Sequence, residues 1–410
     1  MDLEIEDIEK EIDFLVEEYL ETSLHLYSNK HFKEIMRNEI LEYFEGCKYV
    51  DLEDSITSSI ENTLLYYQIP PRENENENEN ENQNINIYSV LENDLLINGE
   101  KNVFKQRTPE WYQFRHNRFS ASSIWKLLDT PAQYNSMIYE KCKPLETLFS
   151  QITNDHNPRN WGVKYEPLSL MIYSFKHPKA VVKSNYGCIP HPNYPFIGAS
   201  PDGINIGPEK YGCMIEIKNV YNREIDGIPL EEYWIQMQIQ METCNLEECD
   251  FLETRFKEYE TEEDFYLDYV TEFKGVILFF LAKSPEKENK FEYMPLYISL
   301  EKTAIDLWIK EMQEKGQEDY LLYDRSYWYL DEYSCINIKR NAPWFESVLP
   351  MIENAWKTVE LERKQGFEHR APKSRSKKTG VSDIVVSVPN IVNVVEEKMI
   401  NPTIKVIKLG

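Results

Sequence analysis

The sequence predicts an α/β protein in which a mixed β-sheet is flanked by helices, with an α-helical N-terminal extension. Between residues 88 and 345 the apolar residues change from helical to strand-like spacing and back, in the order helix, three strands, helix, further strands. Such an order is typical of helices packed against one mixed sheet. Residues 1–70 show helical spacing only and are rich in acidic side chains.

The N-terminal region, 1–70, is predicted to be helical and acidic. Ile8, Ile12 and Leu15 are among the apolar residues that recur at helical spacing with charges between them. A Glu-Asn repeat follows and continues to Asn82. Because this repeat has no apolar residue to bury, we expect a disordered linker over 71–87, which would be the clearest domain boundary in the chain.

The central domain is expected to span 88–345. Helical spacing is seen over 109–118, 120–129, 162–175, 230–243 and 303–316. Strand-like runs are seen over 180–187, 196–199, 213–220, 249–256, 273–282 and 291–299.

Two further segments follow this domain. Helical spacing over 342–366 predicts a closing helix, assigned as a segment to 346–370. Residues 371–410 are expected to form a basic linker and a C-terminal tail. The Val/Ile-rich end of this tail fits either a short strand pair or a docking segment.

The net charge of −26 would argue against a nucleic-acid partner if it were spread evenly. Residues 1–100 hold 26 acidic and 6 basic side chains, so this part carries a net charge of −20. The remaining 45 acidic and 39 basic side chains leave only −6 for the rest of the chain. A locally basic groove is therefore compatible with the composition.

The location expected from the sequence is intracellular, with no membrane association. The chain has no apolar window of about 18 residues, and its acidic N-terminus lacks the features of a signal peptide. Seven cysteines, an odd number and never in a C-x-x-C pair, favour reduced thiols.

Two short motifs have the composition of a metal-dependent nuclease site. An aspartate at a turn, Asp202, lies in Ser-Pro-Asp-Gly, and the apolar run that follows contains Glu216-Ile217-Lys218. Carboxylates suit a divalent ion, and residues i and i+2 of a strand point to the same face, so Glu216 and Lys218 would face one site. Alone, the pattern also fits a turn aspartate and a solvated strand face.

Further motifs appear in a fixed order around these acids. They are Trp-Tyr-Gln-Phe-Arg at 111–115 with Phe-Ser-Ala-Ser at 119–122, Trp-Gly-x-x-Tyr-Glu-Pro at 161–167, the two acidic motifs, and Tyr-Trp-Ile-Gln-Met-Gln at 233–238. The set resembles the lambda-exonuclease/YqaJ-type viral recombinase branch of the PD-(D/E)xK nucleases, over about residues 105–300. The resemblance implies a restriction-endonuclease-like core, and the Glu-Asn repeat suggests a giant-virus-like member.

The resemblance implies roles for the acidic motifs. Asp202 and Glu216 would be metal ligands, with the backbone carbonyl of Ile217 as a further oxygen. Lys218 would orient the attacking water or stabilise charge. Glu166, on the helix after Gly162, would be an acid facing the metal; without the resemblance it is an ordinary surface glutamate.

The resemblance also implies roles for three other residues. Gln236, first of the Gln-x-Gln pair and one helical turn before Gln240, would be the catalytic-site glutamine; otherwise it belongs to a polar helix face. Arg115 and Ser122 would bind a DNA phosphate. Tyr221-Asn222-Arg223 follows the Glu-x-Lys strand and could touch DNA, but only its position suggests this.

The function expected from these residues is a Mg²⁺- or Mn²⁺-dependent DNA exonuclease that degrades duplex ends to single strands for viral recombination or repair. Double-stranded DNA ends would be the substrate, with a single-strand annealing protein or a helicase as partner, and the chain would form a homo-oligomer. No iron–sulfur cluster is expected, because Cys335 is the one cysteine beyond residue 249. The alternatives are an endonuclease or end-trimming enzyme with the same site, and a non-catalytic DNA-binding scaffold.

Overall fold

The computed structural model describes residues 5–45, 52–72, 108–145, 158–184 and 186–371. The predicted linker lies outside these ranges except for its first two residues. The predicted tail lies outside them except for Ala371, and so does the start of the predicted central domain, 88–107. Every helix among the described residues is too short or too polar to serve as a membrane span.

The helices in the described ranges fall into an N-terminal group, a group before the sheet and a group around it. They are α1 (Ile5–Ser23), α2 (Phe32–Tyr43), α3 (Leu52–Tyr66), α4 (Pro109–His116), α5 (Ala121–Leu128), α6 (Pro131–Cys142), α7 (Pro158–Lys176), α8 (Glu231–Cys244), α9 (Glu262–Leu267), α10 (Lys302–Gly316) and α11 (Ala342–Gln365). Thr108 and Thr130 cap α4 and α6 through their side chains, each followed by a proline in the first turn.

The strands form a small sheet and a large one. They are β1 (Phe119–Ser120), β2 (Val182–Lys183), β3 (Ile189–Pro190), β4 (Ile197–Ala199), β5 (Gly203–Asn205), β6 (Met214–Asn219), β7 (Glu248–Glu258), β8 (Lys274–Ala282), β9 (Lys290–Tyr293) and β10 (Tyr320–Lys339). The small sheet has the order β1-β4-β3 and the large one β2-β5-β6-β7-β10-β8-β9. In the large sheet β6 and β7 run parallel, and the other pairs are antiparallel.

This architecture confirms the predicted fold class, a mixed sheet flanked by helices with a helical N-terminal extension. The predicted helices 230–243 and 303–316 and the strands 213–220 and 273–282 are each found within about two residues of the expected bounds. The twenty-residue strand β10 was not predicted. Most of its residues are half-buried on both faces, so its sequence shows no clean alternation of apolar and polar residues.

Two helices hold the centre of the large sheet between them. On one side, Tyr173 of α7 packs against Ile215 and Ile217 of β6. On the other side lies α8, in which every residue from Trp234 to Cys244 is buried. The strand β6 therefore lies between two helices, with its odd-numbered side chains towards α7 and its even-numbered side chains towards α8.

The N-terminal helices pack onto the same hydrophobic core as α8 and α11. Arg72 is the main polar link: its guanidinium donates to the carbonyl of Ser28 at 3.0 Å and to that of Pro229 at 2.7 Å. Its own carbonyl accepts from the Trp234 indole N–H at 3.0 Å. Arg72, the second residue of the predicted linker, is therefore buried, whereas Pro71 before it is exposed.

We expect Arg72→Ala to lower the free energy of unfolding by about 2–4 kcal/mol, because two buried carbonyls lose a charged donor. Denaturant titration followed by tryptophan fluorescence measures this change. Lys30→Ala is the control, since Lys30 is exposed. Equal stability of the two variants would show that the link between Arg72 and α8 contributes little.

Candidate active site

The site is built around the carboxylate of Glu216, at the centre of the large sheet. Glu216 is 1% exposed. Its Oε1 accepts from Lys218 Nζ and from Gln236 Nε2, each at 2.6 Å, and its Oε2 accepts from Gln240 Nε2 at 2.9 Å. One cation and two amides therefore stabilise this buried negative charge.

Gln236 and Gln240 lie one turn apart on α8, so both amides reach the same carboxylate. Only Gln236 was predicted as a site residue. The structure adds Gln240, which also donates to the carbonyl of Ser200 at 3.2 Å. The spacing of four residues in the sequence was the available signal. Gln238 points elsewhere, to Lys339 and Asn341.

Asp202 lies in the turn between β4 and β5, beside the Glu-x-Lys strand. Its Oδ2 accepts a hydrogen bond from the backbone N–H of Ile217 at 2.8 Å. This contact places the aspartate next to Glu216 in space, although 14 positions separate them in the chain. The structure thus brings together the two acids that the sequence analysis selected.

Glu166 is half-buried on α7 and contributes to the same electrostatic environment. Burial raises the pKa of Asp202 well above its usual value, and the negative charges of Glu216 and Glu166 raise it further, against the opposing effect of Lys218. The charges of Glu166 and Glu216 therefore both act on Asp202. Their mutual repulsion favours a proton or a cation there.

Asn219 attaches α7 to the end of β6 and was not predicted. Its Oδ1 accepts from Ser169 Oγ and from Thr254 Oγ1, each at 2.8 Å. Its Nδ2 donates to the carbonyl of Gly162 at 3.1 Å. Because Gly162 is one turn before Glu166, this network fixes the part of α7 that carries the third acid.

Lys218 is held as a cation inside the site. Burial alone would lower its pKa, but the charges of Glu216 and Asp202 more than offset this effect and raise it. The ammonium donates to Gln236 Oε1 at 3.1 Å and lies 4.7 Å from the centre of the Tyr233 ring. Lys218 is therefore positioned on three sides.

The residues fit a divalent cation by charge and by donor type. The acids offer carboxylate oxygens, the ligands that Mg²⁺ and Mn²⁺ prefer. Gln240 Oε1 is buried beside them and has no hydrogen-bond partner. In the described part of the chain no group of three or more His, Cys, Asp or Glu side chains is already arranged to hold a metal ion. Side-chain movement would have to accompany metal binding.

Arg115 lies on α4 and Ser122 lies on α5. The Arg115 guanidinium is 4.5 Å from the Trp111 ring centre, and its carbonyl accepts from Lys141 Nζ at 3.0 Å. Burial lowers the pKa of Lys141 to about 8, and Arg115 and Arg363 lower it as well, against Glu140. Ser122 is exposed in the first turn of α5. These residues form a region of positive charge next to a helix N-terminus.

Comparisons with known proteins agree with the motif order. The model of the YqaJ-like viral recombinase domain matches residues 110–247, which confirms the resemblance. An uncharacterised protein of Acanthamoeba polyphaga mimivirus is 29% identical over 297 residues, covering 62% of this chain and 52% of the relative. The chain thus spans about half the length of that giant-virus protein.

Two solved structures are also similar. An alkaline exonuclease, LHK-Exo, from Laribacter hongkongensis has 18% identity and a TM-score of 0.35, covering 64% of this chain and 95% of that one. A phage-related exonuclease from Haemophilus somnus 129PT has 14% identity and a TM-score of 0.33, covering 63% and 99%. At these scores the likeness carries no functional argument.

The raised pKa of Asp202 predicts a pH-dependent cost in stability without metal. The folded protein binds a proton that the unfolded chain releases above its ordinary pKa of 3.8. Protonated Asp202 therefore makes its full contribution to the stability of the folded state below that pH. This contribution is lost as the pH rises through the pKa that Asp202 has in the folded protein. In EDTA we expect Asp202→Asn to melt at a higher temperature than the wild type at pH 8, with the difference vanishing towards pH 4.

Thermal melts across this pH range, with and without Mg²⁺, measure the effect. Mg²⁺ should raise the melting temperature of the wild type more than that of Asp202→Asn. Asp324→Asn, an exposed position on β10, is the control and should follow the wild type. A lower melting temperature for Asp202→Asn at every pH would contradict the expectation.

Proposed function

We propose that this chain, whose residues 110–247 match the YqaJ-like viral recombinase domain, is a metal-dependent deoxyribonuclease. It hydrolyses phosphodiester bonds with Mg²⁺ or Mn²⁺ and acts as an exonuclease at the ends of duplex DNA. The single strands that it leaves would serve recombination or repair, and a single-strand annealing protein or a helicase would act with it. By resemblance, the working form is a homo-oligomer.

The observation that carries the proposal is the convergence of unlike groups on one buried carboxylate. Glu216 is in contact with a lysine and two glutamines, and the Ile217 N–H brings Asp202 beside it. A scaffold protein without catalysis has no need for a buried acid that raises the pKa of its neighbour. The arrangement supports catalysis over the non-catalytic alternative.

Each side chain has a role in this proposal. Asp202, Glu216 and Glu166, with the backbone carbonyl of Ile217, hold the divalent ion. When bound, the ion supplies Lewis acidity towards a phosphate and lowers the pKa of a water. Lys218 directs its ammonium protons at the attacking water and at the charge that develops on the phosphate.

The two glutamines position these groups. Gln236 contacts both Lys218 and Glu216, so it fixes the distance between the cation and the acid. Gln240 holds the other carboxylate oxygen. Glu216 would offer its carboxylate oxygens to a divalent ion, and the two amides would be available to bind water or phosphate oxygens.

Arg115 and Ser122 bind a DNA phosphate near the cleaved end. The guanidinium supplies two parallel N–H groups, and Ser122 supplies a hydroxyl at a helix start. The positive charge of Lys141 beneath Arg115 adds to the attraction. In this way an acidic chain retains a locally basic surface for DNA.

Glu216→Gln should abolish cleavage, because it removes the negative charge that holds the ion while keeping the shape of the side chain. The assay uses end-labelled linear duplex and a supercoiled circle, each with Mg²⁺ and with EDTA. An exonuclease degrades the linear substrate alone, whereas an endonuclease also nicks the circle. Glu288→Gln is the matched control, since Glu288 begins another Glu-x-Lys in an exposed loop.

The control should retain full activity with the same dependence on Mg²⁺. Wild-type rates in Glu216→Gln, or equal cleavage in EDTA and in Mg²⁺, would refute the assigned site. Cleavage of the circle at the same rate as the linear substrate would show that the protein is an endonuclease and not an exonuclease.

Arg115→Ala should weaken DNA binding and reduce the slope of log K against log salt by about 0.9, the value for one lost phosphate contact. Arg115→Lys should keep the slope but bind less tightly, because lysine lacks the planar two-point contact. Fluorescence anisotropy in EDTA at several salt concentrations measures both. A purely structural Arg115 would instead lower the melting temperature of Arg115→Ala and leave its slope unchanged.

A further inference from the structure

A second cation lies beside Lys218, in the loop that follows β6. The guanidinium of Arg223 lies 5.6 Å from the centre of the Tyr233 ring, the same ring that Lys218 approaches to 4.7 Å. Tyr233 is in the first turn of α8, immediately before the glutamine-bearing turns. One aromatic ring therefore fixes the positions of two positive charges at the same end of the site.

A buried acid holds Arg223 from below. Glu253 of β7 is paired in register with Lys218 of β6, and its carboxylate forms an ion pair with Arg223. The Glu253 side chain is 0% exposed, whereas that of Arg223 is 28% exposed. The pair thus has a closed acidic side and an open cationic side.

This ion pair is expected to contribute little to the stability of the fold. Removing a carboxylate from water is unfavourable, and the attraction within a single ion pair seldom offsets that free-energy cost. Burial raises the pKa of Glu253 even though Arg223 opposes this effect. In addition, Glu253 Oε2 is buried without a hydrogen-bond partner. The ion pair thus orients the guanidinium of Arg223, while one oxygen of Glu253 is left without a hydrogen bond.

Neighbouring cations of the sheet are bound differently. Arg255 forms ion pairs with Asp331 and Glu332, and Lys257 shares Asp331. Their charges are cancelled at the surface by acids of β10. Arg223 forms one ion pair among the described residues, and its acid lies inside the protein. The Nη1 of Arg223 donates to the carbonyl of Glu224 at 3.1 Å, and the side chain, which is 28% exposed, has further guanidinium N–H groups that can bind an anion.

We infer that Arg223 is a second phosphate-binding residue of the candidate active site, that it contacts the DNA backbone one nucleotide from the scissile phosphate, and that Glu253 is its positioning residue. This inference rests on the proposed function and extends it to a specific contact. The buried carboxylate turns the guanidinium towards the site, and the ring of Tyr233 keeps it from approaching Lys218 too closely. A DNA phosphate then accepts hydrogen bonds from guanidinium N–H groups that Glu253 does not occupy.

The first experiment measures binding of a short fluorescein-labelled DNA duplex to the full chain in EDTA, at several salt concentrations. Arg223→Ala should reduce the slope of log K against log salt by about 0.9. Arg223→Lys should keep the slope with lower affinity. Arg325→Ala is the matched control, because Arg325 is also an exposed arginine. It lies on β10 nine residues before Ser334, which pairs with Glu253. Arg325 is therefore about 30 Å from Ser334 along the strand.

The second experiment tests the positioning role. Glu253→Gln should change the melting temperature little, because it keeps the shape of the side chain, removes a costly buried charge, and leaves Arg223, which is 28% exposed, in contact with water. It should nevertheless weaken DNA binding and raise the KM for duplex cleavage with little change in kcat. If the pair is structural only, Glu253→Gln will melt at a lower temperature and bind DNA as the wild type does.

The inference and the proposed function fail in different ways. Wild-type slope and affinity in Arg223→Ala, in a protein that still cleaves DNA with Mg²⁺, overturn the role of Arg223 and leave the nuclease intact. A wild-type protein that neither binds nor cleaves duplex DNA refutes both. If the control Arg325→Ala also reduces the slope of log K against log salt, the effect comes from net charge. That result would refute the specific contact between Arg223 and DNA.

Discussion

A buried negative charge in the middle of a β-sheet is the constraint on which the rest of this structure depends. Glu216 cannot lie inside the protein without donors directed at both of its oxygens. Lys218 supplies one donor from the same strand, but the others must come from a neighbouring element. Therefore α8 must approach β6 closely, with the amides of Gln236 and Gln240 facing the strand. The position of this helix decides where α11 and the N-terminal helices can pack.

The same helix is polar on more than one side, yet it is buried from Trp234 to Cys244. Gln238 explains how this is possible: its amide donates to the carbonyl of Lys339 and accepts from the backbone N–H of Asn341. It thereby joins the end of β10 to the start of α11. The three glutamines at alternate positions serve two purposes, one at the acid and one at a chain connection. A helix with this composition would be exposed in most proteins, and here hydrogen bonds take the place of water.

The sequence was a good guide where local patterns decide the structure. The apolar run around Glu216 predicted a buried strand, and the motif order predicted that Asp202, Glu216, Lys218 and Gln236 belong together, as their contacts now show. The sequence was a poor guide to contacts that depend on the order of the strands in the sheet. Glu253 faces Lys218 only because β7 lies parallel to β6, and Asn219 meets Ser169 only because α7 crosses that end of the sheet. Such pairs leave no signal in the spacing of residues along one chain.

The place of β10 in the sheet has a consequence for biosynthesis. This strand lies between β7 and β8, pairing with both, although the chain makes those two strands more than thirty residues earlier. Until a ribosome releases residues 320–339, β7 keeps an open edge of unpaired backbone groups. The half of the sheet that carries the acids can therefore pair with the other half only after β10 has been made. Strand pairings between residues so far apart in the chain form slowly. A chaperone would be most useful in that interval, and a nascent chain interrupted before Lys339 would be prone to aggregate.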